Sequence, residues 1–475
     1  MVMGELALET EVLVIGSGPG GYAAAFRAAD MGMEVTMVDM EARPGGECLF
    51  RGCIPSKTLL YLAELLHDTG RADAMGITFG KPQLNLDRIR AWKEEVIDKL
   101  SDGLVTLCDK RGVQRLQGRA RFEGSGQVRL QDSEVSHIKF RHAVLATGTS
   151  PSPLPDMEFA RGSRIMDSGG ALELPDIPES LLIFGGGYIA LEMGTVYAAL
   201  GSRVTVALRS ERLLRGADQD LAAPLIRRVK NIFENIHFNT SIAALNEEES
   251  RVRVTFDGEV ENSQQTFDRV LIAIGRKPNT QDMGIENTKV KLDDRGYVVV
   301  DEQQRTSDDK IFAIGDVVGG PLLAHKAIHE GKVAAEVIGG EPSAFDARAI
   351  PAVVYTDPQV AWCGLTEDQA KKDKIPIKVE RFSWKFSSRA TTMDAPQGLT
   401  KIIVDPETKR ILGFGITGRE AEGMIGEGVL AVEMGALAQD MALSIHPHPT
   451  LSETLGEVAD VFLGTSTHVL PSRKK

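Results

Sequence analysis

Cysteine is scarce in this chain, with four in 475 residues. A small secreted domain stapled by disulfides needs a far denser supply, so that class is excluded and the expected compartment is cytoplasmic. There, a disulfide is more often catalytic than structural. Long apolar runs are also missing. No stretch reaches the roughly 18 apolar residues of a membrane-spanning helix, so no membrane partner is expected. There is no basic block, and the net charge of −13 argues against a nucleic-acid or anionic-membrane binder. The basic Ser472-Arg473-Lys474-Lys475 is too short to change that balance. Met1 to Thr10 carries Glu5 and Glu9, and is neither a secretory signal nor an Arg-rich transit peptide.

What remains is an ordinary globular composition, 42% apolar and 25% charged, in a chain long enough for several domains. Two of the four cysteines, Cys48 and Cys53, fall in Gly45-Gly46-Glu47-Cys48-Leu49-Phe50-Arg51-Gly52-Cys53-Ile54-Pro55-Ser56-Lys57. The residues after Cys53 predict a helix, with Leu59, Leu60, Leu62, Leu65 and Leu66 as its apolar face. On one undistorted helix the two Cα atoms would stand roughly 8.6 Å apart. A disulfide tolerates at most ~7 Å. A bridge therefore requires a bent backbone, which Gly52 and Gly45-Gly46 allow. A strained bridge is easily reduced, and a helix start favours a thiolate. By spacing alone, two buried thiols or half a zinc site stay open. Zinc wants four ligands, however, and no other Cys or His lies within ten residues on either side. No metal is expected.

Upstream, the strand pattern Glu11–Ile15 ends at Gly16-Ser17-Gly18-Pro19-Gly20-Gly21. An Ala-rich helix follows to about Met31, then a strand from Glu34 to Val38 that closes on Asp39. Strand, G-x-G-x-x-G, helix, strand and acid, in that order, form a Rossmann unit. Gly16, Gly18 and Gly21 would let backbone approach a pyrophosphate, and Asp39 would accept from ribose hydroxyls. The unit recurs as Leu181–Phe184 followed by Gly185-Gly186-Gly187-Tyr188-Ile189-Ala190, with a helix to about Leu200 and a strand Arg203–Leu208. Two units imply two dinucleotides, a flavin and a nicotinamide. Ala143–Gly148 and its near-copy Val270–Gly275 are strands ending in small-residue turns suited to close passage beside a cofactor, at Thr147 and Gly148, and at Gly275 and Arg276. Pro151, Pro153 and Pro155 mark a linker, and Lys310–Asp316 a return to the first domain. From about Ile350 an α+β pattern carries no dinucleotide signal.

Together these residues resemble the disulfide flavoprotein oxidoreductases, across essentially the whole chain. Within that family, Cys53-Ile54-Pro55-Ser56-Lys57, Leu323-Ala324-His325-Lys326-Ala327 and His446-Pro447-His448-Pro449-Thr450-Leu451-Ser452-Glu453 look most like the dihydrolipoamide dehydrogenase branch. The resemblance implies an α/β fold with FAD and NAD(P) Rossmann-like domains and a C-terminal α+β dimerisation domain. Its expected boundaries are 1–150 and 281–349 for FAD, 151–280 for NAD(P), and 350–475 for the interface. It implies that Cys53 faces the flavin and Cys48 exchanges with a dithiol. His448 would be the base, oriented and raised in pKa by Glu453. Lys57 would pair with Glu192 near the flavin, and Asp316 and Ala324 would contact FAD. His325 is expected to be structural, Cys108 and Cys363 inert, and Tyr61 and Trp92 packing residues. The expected reaction is oxidation of a protein-bound dihydrolipoyl group by a homodimer, with NAD(P)+ reduced. The alternatives are an NADPH-driven reductase resembling glutathione reductase and a flavin redox sensor.

The sequence departs from the family pattern twice. Phe50-Arg51 stands where the family usually has Asn-Val. In the second Rossmann unit, the position matching Asp39 is Leu208, followed by Arg209, Ser210, Arg212 and Arg215. A missing acid and these arginines predict an NADP-leaning site at the turn of Gly185, Gly187 and Ala190, and the arginines together with Ala190 in place of the third glycine resemble glutathione reductases.

Overall fold

The computed structural model describes residues 7–470, so the basic C-terminal segment lies outside the described residues. The first strand, β1 (Ala7–Ile15), is buried over its second half and runs parallel to β2 (Val35–Asp39) on one side and to His137–Leu145 on the other. Strand Gln114–Gln117 extends the sheet beyond β2, and Ile311–Ala313 joins His137–Leu145 in parallel. Residues some 300 positions apart thus share one sheet, as the Gly-Asp return at Gly315-Asp316 predicts. Helix α1 (Pro19–Asp30) starts at Gly18 with Pro19 in its first turn and buries an alanine face. Small side chains bring it close to the helix that starts at Ala324, where a Cβ on Gly331 would lie 2.5 Å from the Gly20 carbonyl oxygen.

The run after Cys48 is two helices rather than one. Helix α2 (Gly46–Arg51) stops at Gly52 and α3 (Cys53–Arg71) begins at once. A Cβ on Gly52 would lie 3.0 Å from the Glu47 carbonyl oxygen and 3.2 Å from the Cys48 Cα, so the break leaves little room for a side chain. The α3 face differs from expectation. Leu59 and Leu60 are buried, but Leu65 is 52% and Tyr61 63% exposed, so Tyr61 is not a core packing residue in the single chain. Helix α4 (Leu86–Arg111) packs on α3 and is capped by Asn85, which accepts from the Arg88 amide.

After the prolines comes α5 (Ser168–Glu173), then a five-stranded parallel sheet in the order Asn235–His237, Arg203–Ala207, Ser180–Phe184, Arg269–Ile272, Ile165–Met166. Helices α6 (Tyr188–Leu200) and α7 (Gln219–Ile232) cover it. An antiparallel meander, 240–267, sits alongside. The two connections joining this unit to the first pair with each other as Thr149–Pro151 against Arg276–Pro278. Helix α8 (Ala324–Ile338) then packs on α1. Last comes a five-stranded antiparallel sheet, Ala352–Val354, Gln359–Gly364, Ile411–Gly418, Leu399–Val404 and Lys378–Ser383, carrying helices Ala421–Glu433 and Glu453–Leu463.

Lys401, fully buried, fastens this last sheet to α7. Its Nζ lies 2.7 Å from Asp218 and 3.0 Å from Asp220, and also pairs with Glu367. The three carboxylates face one another closely enough to suggest a cation site. The Lys401 ammonium and the Arg381 guanidinium, which pairs with Asp220 and Glu367, already supply two positive charges there.

Candidate active site

The α2–α3 break sets the geometry of the cysteines. Cys48 and Cys53 are disulfide-bonded, with Cα atoms 4.7 Å apart instead of the helical separation. The bridge opens onto a cleft of about 320 Å³ lined by Gly16, Gly18, Asp39, Thr147, Gly148 and Asp316, with Arg276 and Ala324 also on its wall. Gly16 has φ +103°, and a Cβ there would lie 2.3 Å from the Ala146 carbonyl oxygen; one on Gly21 would lie 1.9 Å from that of Gly16. The turn is thus closed to side chains but open to a ligand. The α1 N-terminus has no side-chain cap, which leaves its first-turn amides for an anion.

Asp39 is at the predicted strand end, and three local donors fix the orientation of its carboxylate. Oδ2 accepts from the Ser17 amide and hydroxyl at 2.6 and 2.8 Å, and Oδ1 from the Glu41 amide at 2.9 Å. Asp316 accepts from the Thr149 hydroxyl at 2.9 Å, and burial raises its pKa. The Asp316 turn is held from beneath. Gly315 N donates to Glu330 at 2.7 Å, Glu330 pairs with Lys326 at 2.6 Å, and Lys326 donates to the Gly319 carbonyl at 3.1 Å. A glycine cradle, uncapped amides and a buried acid beside a disulfide fit a dinucleotide carrying a redox ring.

Lys57, one turn after Cys53, reaches Glu192 of α6 at 2.9 Å, in the pairing expected. Glu192 is buried and also accepts from the Tyr355 amide at 3.0 Å, while Lys57 Nζ lies 4.5 Å from the Tyr355 ring centroid. Tyr355 comes from the third sheet and no motif announced it. His325 donates through Nε2 to the Pro351 carbonyl at 2.7 Å. Cys108 and Cys363 are buried free thiols whose pKa values burial raises, that of Cys363 to about 12.

His448 and Glu453 meet at 2.8 Å, Nδ1 to Oε1, and the imidazole is 65% exposed in the single chain. Neither residue lines the cysteine cleft. In the second unit, Gly185 and Gly187 form the turn and Ala190 is buried behind it. Leu208 is 2% exposed, and a Cβ on Gly186 would lie 2.4 Å from its Cδ1. The site of the missing acid is therefore filled by an apolar contact against the glycine turn. Arg212 pairs with Asp368 at 2.7 Å. Among the described residues Arg209 and Arg215 have no acidic partner. Gly275 (φ +132°) precedes Arg276, whose guanidinium donates to Thr149 and pairs with Glu47.

The profile of the pyridine nucleotide-disulphide oxidoreductases matches residues 10–331, and that of their dimerisation domain residues 350–459. The chain belongs to the pyridine nucleotide-disulphide oxidoreductase family. Curated relatives include the dihydrolipoyl dehydrogenases of Vibrio parahaemolyticus, 42% identical over 469 residues and 98% of each chain, and of Geobacillus stearothermophilus, 41% identical over 99% of this chain and 100% of the relative. Similar solved structures include the HOCl-induced flavoprotein disulfide reductase RclA of Escherichia coli, TM-score 0.84 and 27% identity, and LpdA of Mycobacterium tuberculosis, TM-score 0.87 and 25% identity. Each covers 95% of this chain and 99% of the other. The family is one of enzymes that use FAD and a pyridine nucleotide, and it carries a dimerisation domain. Among the described residues no helix is long and apolar enough to cross a membrane.

Proposed function

We propose that this enzyme oxidises a protein-bound dihydrolipoyl dithiol to the lipoyl disulfide and reduces a pyridine nucleotide, with NADP+ preferred. The observation that carries the reading is the Cys48–Cys53 bridge at the mouth of the first glycine-lined cleft. Relatives of nearly equal length are named for that reaction. We divide the chain into an FAD domain (1–150 and 281–349), an NAD(P) domain (151–280) and an interface domain (350–475).

Cys48 is the sulfur that exchanges with the dithiol, and Cys53 is its partner on the cofactor side. With Nδ1–H donated to Glu453, Nε2 of His448 is left basic and takes the dithiol proton. His448 belongs to the interface domain and stands away from its own cleft, so a second copy supplies it, and the active form is a homodimer. The FAD would be held by the Gly16–Gly21 turn, Asp39, Thr147, Gly148, Asp316 and Ala324. Bound there, it would supply the two-electron redox chemistry between the dithiol side and the nicotinamide. Lys57, fixed by Glu192, presents a positive charge on the floor of that cleft. Gly185, Gly187, Ala190 and Gly275 shape the nicotinamide dinucleotide site, where Arg209 and Arg215 bind a 2′-phosphate.

The two free arginines also favour a second reading, an NADPH-driven reductase of another disulfide such as glutathione. Steady-state kinetics with dihydrolipoamide and with reduced glutathione, each against NAD+ and NADP+, separate the two. Dihydrolipoamide turnover at least about 10²-fold above glutathione is expected, on the scale of a well-matched against a mismatched polar substrate. The reverse order overturns the proposal.

A further inference from the structure

Glu47 stands between two guanidiniums from different parts of the chain. Arg51 Nε, one turn on along α2, lies 3.3 Å from Glu47 Oε2. Arg276 Nη2, on the connection returning from the second unit, lies 3.1 Å from Glu47 Oε1. Both cations are anchored on their far sides. Arg51 Nη1 reaches Glu41 at 2.8 Å, two residues beyond Asp39. Arg276 donates through Nε to the Thr149 hydroxyl at 2.8 Å and through Nη2 to the Thr149 carbonyl at 2.7 Å. The chain of charges runs along the cleft from the end of β2 to the paired connections, and its middle member is the residue before Cys48. Helix α2 has six residues and no side-chain cap. A helix that short is not stable by itself, so its tertiary ties decide where Cys48 lies.

We propose that Glu47, balanced between Arg51 and Arg276, positions the outer sulfur Cys48 and sets its reactivity toward the dithiol. The inference rests on the reading of Cys48 as the exchanging sulfur. A carboxylate next to a thiol disfavours the thiolate, and flanking cations cancel that effect. Glu47→Gln leaves two cations beside Cys48, whereas Arg51→Met leaves the carboxylate with only one. The two changes therefore move the thiol in opposite directions. A loosened fold does not produce that pattern. The other charges around α2 are Arg43, whose guanidinium lies over the Phe50 ring, Lys57 of α3, Lys93 and Glu94 of α4, Glu173 of α5, Glu192 of α6, and Asp39 and Asp316 across the cleft. All are common to the variants, so the difference isolates Glu47 and Arg51.

The test uses the FAD-loaded enzyme reduced under anaerobic conditions. Iodoacetamide alkylation of Cys48 is followed across pH by peptide mass spectrometry. The pH midpoint is expected to fall by about 0.5–1 unit in Glu47→Gln and to rise by a similar amount in Arg51→Met, as expected for one charge removed at partly screened distance. Arg51→Lys is expected to restore the wild-type midpoint. In stopped flow, dithiol-driven flavin reduction is expected to slow about tenfold in Glu47→Gln, the scale of a modest misplacement, while NADPH-driven reduction stays within about twofold. Shifts in the same direction, or unmoved midpoints, overturn the inference. Should Glu47→Gln fail to fold, the Arg51 pair decides: a rise in Arg51→Met reversed by Arg51→Lys supports it, and no rise overturns it. A wild type whose flavin no dithiol reduces defeats the proposed reaction instead, and the alkylation midpoints still decide the role of Glu47.

Discussion

His448 holds Glu453 through Nδ1 at 2.8 Å, which leaves Nε2 facing solvent in the single chain. The same carboxylate accepts from the Thr450 amide through its second oxygen at 2.7 Å, so the loop before helix Glu453–Leu463 is tied to the residue that orients the imidazole. His448→Gln is expected to slow dithiol oxidation by about 10²–10⁴-fold, the usual cost of losing a general base. FAD content should stay at the wild-type level, because the residue does not line its own chain's cleft. A normal rate in this variant would remove His448 from the mechanism.

His446, two residues earlier, has a different partner and a different duty. Its Nε2 pairs with Glu427 at 2.8 Å, and that bond raises its pKa above the ordinary 6.5. A histidine whose folded pKa is raised adds stability that is fully present below the unfolded pKa of about 6.5 and is lost as pH rises through the folded value. His446→Gln should therefore lower Tm most in acid, and the gap to wild type should narrow as pH climbs. Its dithiol rate should fall far less than that of His448→Gln. If His446→Gln is instead the damaging change, the base has been assigned to the wrong histidine.

These pairings show how far the sequence could be read. Both Rossmann units, the cysteine pair, Lys57–Glu192 and His448–Glu453 were legible, because each lies in a local pattern or is carried by the family resemblance. Glu47–Arg276 was not, since 229 positions separate the two and no motif or periodicity joins one to the other. Tyr355 reaches Lys57 only because the third sheet folds back onto α3. Tyr61 and Leu65 share helical spacing with Leu59 and Leu60, but periodicity cannot tell which part of an apolar face the same chain covers. Lys401 reads as an ordinary strand residue until α7 brings two aspartates to it.

Cys48→Ser leaves Cys53 without a bridge and beside the cofactor cleft. The variant is expected to show the long-wavelength absorption of a thiolate against oxidised flavin and to lose dithiol turnover. Retention of near wild-type oxidation of dihydrolipoamide would rule Cys48 out as the exchanging sulfur.

Lys326 and Glu330 are both buried, and Glu330 takes the Gly315 amide as well as the ammonium. Lys326→Met would leave Glu330 as an unpaired buried carboxylate, at a cost of about 3–5 kcal/mol. Replacing both with apolar residues should cost less than replacing Lys326 alone, although the Gly315 amide then lacks its acceptor. Denaturant titration of the single and double variants measures this, and FAD should dissociate more readily from the single variant because the Asp316 turn loses its support. A single variant as stable as wild type would show that the pair carries no net coupling.

The proposed preference for NADP+ rests on what the two Rossmann units do not share. Asp39 ends β2, but at the matching place Leu208 is buried against Gly186, so no carboxylate is there to hold a ribose diol or to repel a phosphate. Arg209 follows at once and is exposed. Arg212 is committed to Asp368, which leaves Arg209 and Arg215 for a 2′-phosphate. An arginine pairs with phosphate through parallel charge-assisted bonds worth about 1.5–3 kcal/mol each. Arg209→Ala should therefore lower kcat/KM for NADP+ by roughly 10–100-fold, at about 1.4 kcal/mol per tenfold, and leave NAD+ nearly unchanged. The NADP+ effect should also weaken with salt, since the site is exposed. Leu208→Asp should act in the opposite sense on the ratio by repelling the phosphate, although it also places a charge against the glycine turn. Steady-state kinetics with both cofactors decide the matter. A wild type that strongly prefers NAD+, with Arg209→Ala unaltered, would leave these arginines as surface charges.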